Sequence, residues 1–150
     1  MITGIVNDDL DAIIPLIIFG SDSKISRQNA VIDTGFNGWL SLPQDLINQY
    51  QLNLRWKRRG RAILGDGSEC VFNVYEAVII WDGVPIKIPI DEADSEPLVG
   101  MSLMQGYQLI IQVFEGLKSM NINLKPILTR LKTELTDLYG DRLQNLLYKT

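Results

Sequence analysis

With 150 residues, 46% of them hydrophobic and 21% charged, the chain has the size and balance of one domain with a modest core. A net charge of -4 gives no global pull toward nucleic acid or an anionic membrane, and a single cysteine, Cys70, rules out an intramolecular disulfide. There is no histidine, which removes Ser-His-Asp and Cys-His hydrolysis and most catalytic zinc sites, and leaves carboxylates, Lys, Tyr or an oxygen-held metal for any hydrolytic chemistry.

The first nine residues lack a basic stretch followed by an apolar one, so no signal peptide is expected. The longest apolar runs, such as Ala12–Phe19, are too short to span a bilayer. A cytoplasmic protein with no membrane partner is the expectation.

In chain order, Ile2–Val6 reads as a first strand and Ala12–Phe19 as a second, almost continuously apolar. Gly20, Ser21, Asp22 and Ser23 form a turn cluster. Ile25–Ile32 reads as a strand that leads straight into Asp33-Thr34-Gly35. A short strand comes next over residues 39–42, then a helix that Pro43 opens at its first turn, with Leu46, Ile47 and Tyr50 on one face. Residues 54–64 and 68–81 read as the two arms of a long hairpin around Gly65-Asp66-Gly67, an Asp-Gly turn signal. Asp82-Gly83 marks a second such turn. Val84, Ile86, Ile88 and Ile90 then alternate with Pro85, Lys87 and Pro89, a period-two pattern whose prolines suit an edge strand. Residues 91–96 read as an acidic loop. Leu98-Val99-Gly100 is a brief apolar element, succeeded by a helical turn over residues 101–104. Residues 107–114 and 117–122 read as a last hairpin.

Residues 1–124 are therefore expected to form a small all-β barrel or sandwich with one or two short helices. Residues 125–150 differ. Leu124, Leu128, Leu131, Leu135 and Leu138 recur at helical spacing behind Pro126, and Gly140 would end that run. This predicts an amphipathic helical tail.

A lone Asp-Thr-Gly is also what an ordinary strand-to-turn junction looks like, because Asp and Gly favour turns. Its setting adds weight. An apolar strand precedes it, a glycine-containing turn and a strand come after it, a glycine-rich hairpin tip stands about thirty residues later, and Leu98-Val99-Gly100 lies further downstream. In order and spacing, residues 1–124 resemble the retropepsin-like aspartic proteases, the single-lobed clan of retroviral proteases and their small bacterial homologues. The opening and residues 62–81 look most like the small bacterial and cyanobacterial branch.

The resemblance implies a single-lobe acid-protease β-barrel with a C-terminal helical tail, and an aspartic endopeptidase. It makes Asp33 the catalytic carboxylate. Thr34 would bond across a dimer axis, and Gly35 would leave room beside the substrate. Gly65, Asp66 and Gly67 would form the flap, and Leu98, Val99 and Gly100 the element behind the active-site loop. One triplet in a chain too short for two lobes implies a homodimer with one Asp33 from each subunit, acting on a peptide or protein, with no cofactor and no metal. Two carboxylates sharing a site cannot both ionise easily, so one keeps its proton while the other activates a water. The chain departs from many relatives in placing Phe36 and Asn37 after the glycine, where a small residue is common; both are candidates for a substrate pocket.

Rival readings remain. A barrel of the same fold can be catalytically silent and bind peptide or protein. Arg55, Lys57, Arg58, Arg59 and Arg61 around Trp56 suggest a nucleic-acid contact, although a solvated hairpin arm explains them better. The carboxylates at 91, 92, 94 and 96 lack the spacing of a calcium loop. Cys70, beside apolar residues, reads as an inert thiol. The tail around Leu138-Tyr139-Gly140-Asp141-Arg142-Leu143 resembles the start of a minimal nucleotidyltransferase domain, but the phosphate-binding motif and metal-binding carboxylates of that family are not among these residues, so no such activity is carried over.

Overall fold

The computed structural model describes residues 1–20, 25–63, 67–113 and 120–126, with the backbone alone at 53–59, 62–63 and 120–126. Among these residues ten strands and one short helix occur in order: β1 (Ile2–Val6), β2 (Ala12–Phe19), β3 (Ile25–Ile32), β4 (Leu40–Leu42), α1 (Gln44–Gln49), β5 (Asn53–Ile63), β6 (Glu69–Trp81), β7 (Val84–Glu92), β8 (Leu98–Val99), β9 (Tyr107–Ile111) and β10 (Met120–Pro126). They form one sheet in the order β5-β6-β7-β4-β8-β3-β2-β1-β10-β9. A further pairing of β6 with β2, from Ile17 opposite Ile80 to Phe19 opposite Val78, rolls that sheet closed. The ring β6-β7-β4-β8-β3-β2 is thus a barrel, with β5 outside on one flank and β1, β10 and β9 on the other.

Strand β2 shows how the barrel closes. One edge pairs with β3 along its whole length. The other is divided between β1 at its start and β6 at its end. Its apolar run conceals an alternation: Ile14, Leu16 and Ile18 are fully buried, whereas Pro15 is exposed and Ile13 and Ile17 are half-buried. A strand wrapped on one side by a core and on the other by neighbouring strands needs apolar residues at both parities. The core collects Ala30 and Ile32 of β3, Leu40 and Leu42 of β4, Ala77, Ile79 and Trp81 of β6, Ile88 and Ile90 of β7, and Val99 of β8. Ile47 of α1 and Tyr50 just after it join this core. Trp81 meets Tyr107 edge to face, with ring centroids 5.8 Å apart at 76°.

The structure departs from several sequence expectations. Pro43 caps α1 from an extended conformation (φ -69°, ψ 156°) rather than occupying its first turn. Its carbonyl still accepts the Ile47 N–H at 3.1 Å. Strand β7 is an edge only where its prolines lie: β6 pairs with it from Val84 to Asp91, while β4 joins the other edge at Ile90 to Glu92. Asp91 and Glu92 therefore belong to a strand, and the loop begins only at Ala93. The segment 101–106 is a series of tight turns, with Leu103, Met104 and Tyr107 N–H groups bonded three residues back. Lys125 and Pro126, assigned from the sequence to the helical tail, lie in β10, as does Leu124 of the leucine spacing, which pairs with both Ile2 and Leu109. The tail at 127–150 lies outside the described residues.

The two Asp-Gly turns differ. Asp82 (φ 51°) and Gly83 (φ 82°) form a two-residue hairpin turn between paired Trp81 and Val84. Positive φ at both central positions is what a type I′ turn requires, and it matches the twist of the flanking strands. The Met1 amino group pairs with the Asp82 carboxylate there. In the β5–β6 hairpin the last pair is Ile63 with Glu69. Gly67 has φ 85°, while Leu64, Gly65 and Asp66 lie outside the described residues. The basic run falls on an irregularity of this hairpin. Leu54 pairs with Tyr75 and Arg59 with Asn73, so residues 55–58 bulge opposite Val74.

Candidate active site

Strand β3 carries Val31 and Ile32 into the barrel wall and releases the chain at Asp33. The short strand β8 lies between the two strands that flank this release point. It runs parallel to β3 (Val31 opposite Leu98, Ile32 opposite Val99) and antiparallel to β4 (Leu40 opposite Val99, Ser41 opposite Leu98). Two residues suffice for this strand because the chain keeps bonding on either side of it. The Val31 N–H donates to the Pro97 carbonyl at 2.9 Å, and the Asp33 N–H to the Val99 carbonyl at 2.9 Å. The Gly100 N–H donates to Trp39 at 3.0 Å, Met101 to Phe36 at 2.8 Å and Ser102 to Gly38 at 3.1 Å, all at carbonyl oxygens. The Ser102 hydroxyl adds a bond to the Asn37 carbonyl at 2.6 Å. Residues 31–39 are thereby clamped along their length by residues 97–102.

Within the turn, Asp33 is held at both ends. Its Oδ1 accepts the Gly35 N–H at 2.8 Å, and its carbonyl accepts the Phe36 N–H at 3.2 Å. A short acidic side chain bonding to a backbone N–H two residues on is the reason Asp favours such turns. Here it fixes the carboxylate rotamer while Oδ2 has no hydrogen-bond partner among the described residues. Asp33 is half-buried, and Thr34 and Gly35 are exposed at the tip. A Cβ on Gly35 would sit 3.2 Å from Asp33 Oδ1, so glycine lets this N–H approach closely.

Gly100 has an equally specific reason. A Cβ there would lie 2.3 Å from the Gly38 carbonyl oxygen and 2.6 Å from Phe36 Cδ1. Only glycine lets the element behind the loop touch the loop's backbone. Val99 beside it is fully buried and Leu98 half-buried. The Phe36 ring folds back over Gly38, where a Cβ would meet Cζ at 2.3 Å. In the single chain Phe36 is thus an internal prop of the Asp33 turn, and Asn37 is exposed.

Of the residues singled out from the sequence, Asp33, Thr34, Gly35, Phe36, Asn37, Leu98, Val99 and Gly100 come together. Gly67 lies in the hairpin that β5 and β6 form; Gly65 and Asp66 fall outside the described residues. Two residues of the site have no sequence signature. Ser102 ties down the loop, and a lone Ser two positions after a glycine carries no signal without the pairing. Asp91 has the look of a loop residue, yet its Oδ2 lies 2.8 Å from where a Gly38 Cβ would be. Burial pushes its carboxyl above the usual range. Among the described residues no three His, Cys, Asp or Glu side chains gather as a metal site, and no helix is long and apolar enough to cross a membrane.

This arrangement decides the architecture: a closed barrel, a strand-to-turn Asp-Thr-Gly, and a hydrophobic-hydrophobic-Gly strand threaded between the strands flanking it. The chain has the retropepsin-like fold. No protein-family model and no curated protein matches the chain. Solved structures do. It is similar to a retropepsin-like aspartic protease from Rickettsia conorii, at 17% identity and TM-score 0.53, with 81% of this chain and 88% of that chain covered. It is also similar to EIAV protease in complex with the inhibitor HBY-793, at 21% identity and TM-score 0.50, covering 66% of this chain and 89% of that one. At these identities the likeness establishes the retropepsin-like fold.

Proposed function

We propose that the protein is an aspartic endopeptidase that works as a homodimer, with Asp33 of each subunit forming one catalytic pair. The observation that carries this reading is the geometry of Asp33. A half-buried carboxylate sits at the mouth of a barrel strand, its Oδ1 fixed by the Gly35 N–H and its turn clamped by 97–102. The Rickettsia conorii structure is an aspartic protease and the EIAV structure a protease, which supports the same chemistry here.

The chemistry comes from placing two such carboxylates together. Like charges a few ångströms apart repel, so the pair holds one proton between them. The ionised member removes a proton from a water, whose oxygen bonds to the scissile carbonyl carbon. The protonated member gives its proton to the carbonyl oxygen. The resulting gem-diol collapses as one of its hydroxyls gives its proton to the now-ionised member, the C–N bond breaks, and the amine leaves with the proton the other member took from water, so the pair again holds one proton. In this reading Thr34, exposed at the tip, bonds across the dimer axis. The β5–β6 hairpin serves as the flap.

Peptide-library cleavage at mildly acidic pH tests this. Wild-type protein is expected to cleave and Asp33→Asn to be inactive. Cleavage that survives Asp33→Asn contradicts the mechanism, and a protein that stays monomeric at micromolar concentration contradicts the shared site.

A further inference from the structure

A cavity of about 350 Å3 opens between the β6 arm of the hairpin and residues 92–94 at the end of β7. Its walls are of two kinds. Val71, Phe72 and Ala93 supply apolar surface, while Asn73, Glu92 and Asp94 supply polar groups. The Phe72 ring is seated over Gly60 of the paired strand, where a Cβ would come within 2.1 Å of it. An aromatic ring over a cross-strand glycine makes a firm wall.

Glu92 Oε2 accepts two hydrogen bonds, from Asn73 Nδ2 and from the Tyr75 hydroxyl, each at 3.0 Å. Both donors are neutral, so they orient the carboxylate without compensating its charge. Among the described residues neither Glu92 nor Asp94 takes part in an ion pair. The cavity lies along the β6 arm of the proposed flap, and Asp91, one residue before Glu92, packs on Gly38 in the turn after Asp33.

We infer that this cavity takes a Lys or Arg side chain of the peptide substrate, its alkyl stem on Phe72 and Ala93 and its cationic head on Glu92 and Asp94. Long basic side chains combine an apolar stem with a charged end, and a carboxylate already held by neutral donors is a strong acceptor for that end. The inference deepens the protease reading and rests on it.

The test uses the full chain carrying Asp33→Asn, which binds without cleaving. Fluorescein-labelled octapeptides that differ only by Lys, Arg, norleucine or Glu, scanned through each position, are measured by fluorescence anisotropy. At one position Lys and Arg peptides should bind about tenfold tighter than the norleucine peptide, a ratio that Glu92→Gln and Asp94→Asn each reduce about threefold. Glu92→Gln keeps an acceptor for Asn73 and Tyr75, and Asp94 is exposed, so the fold tolerates both. Asp94→Lys should turn the preference toward the Glu peptide. Equal binding of Lys and norleucine peptides at every position overturns the inference; if wild-type protein cleaves those peptides, the protease reading survives. A Lys preference without wild-type cleavage upholds the pocket and removes the protease reading. Absence of binding by every peptide overturns the inference.

Discussion

The backbone N–H of Asp33 donates to the carbonyl of Val99 at 2.9 Å. The candidate catalytic residue is therefore placed by a strand far along the chain, and that strand is paired on both edges, with Val99 fully buried. Precision at the carboxylate depends on residues that never touch it, through the packing of β8 against the Asp33 turn.

Gly100 is the tightest point of that packing. Gly100→Ala should displace the loop, because a Cβ would overlap the Gly38 carbonyl and the Phe36 ring. Overpacking of this kind costs about 1–3 kcal/mol. Urea unfolding should show that loss, and peptide cleavage should fall by more than the fraction unfolded explains. Unchanged stability and activity would contradict the clamp.

Ser102 gives a milder test of the same clamp. Ser102→Ala removes only the bond from the hydroxyl to the Asn37 carbonyl, and its backbone bond to Gly38 remains. The expected cost is about 0.5–1.5 kcal/mol. Cleavage should show a lowered kcat with little change in KM, since the turn rather than the substrate surface is loosened.

Asp91 supplies a pH dependence of stability. Burial favours its neutral form, so its carboxyl titrates higher in the folded chain than in the unfolded one. Between those two values the folded state holds more proton, and stability falls as pH rises through the folded value. Asp91→Asn keeps the shape of the protonated acid and should be more stable than wild type at neutral pH. The gain should stay below about 1 kcal/mol for a half-buried group open to solvent screening. It should shrink on acidification toward about pH 4, the ordinary range of a carboxyl. Thermal melts of both proteins across that range check it; a gap that widens toward acid would contradict the assignment.

Much of the barrel was legible in the sequence. Ile2–Val6, Ala12–Phe19 and Ile25–Ile32 stand where apolar content and turn residues placed them, and Asp82-Gly83 forms the turn its residues specify. What was hidden is non-local. Leu98–Val99, singled out as a brief apolar element, is too short for any periodicity to show its pairing with β3 and β4. Leu124 fits a helical leucine spacing, but pairing with Ile2 and Leu109 overrides that local pattern. Asp91 and Glu92 resemble loop residues because polar side chains conceal a strand continuing past its apolar part. Of the candidate site, Asp33-Thr34-Gly35 and Leu98-Val99-Gly100 were visible as motifs, while the contacts joining them were not.

The shared catalytic pair is tested most directly by subunit mixing. Wild-type and Asp33→Asn subunits are combined in equal amounts, allowed to exchange, and assayed for peptide cleavage at constant total protein. If each active site needs Asp33 from both subunits, only wild-type pairs cleave, and about one quarter of the activity remains by random pairing. A residual activity of about one half would mean that each subunit works alone, and would contradict the account.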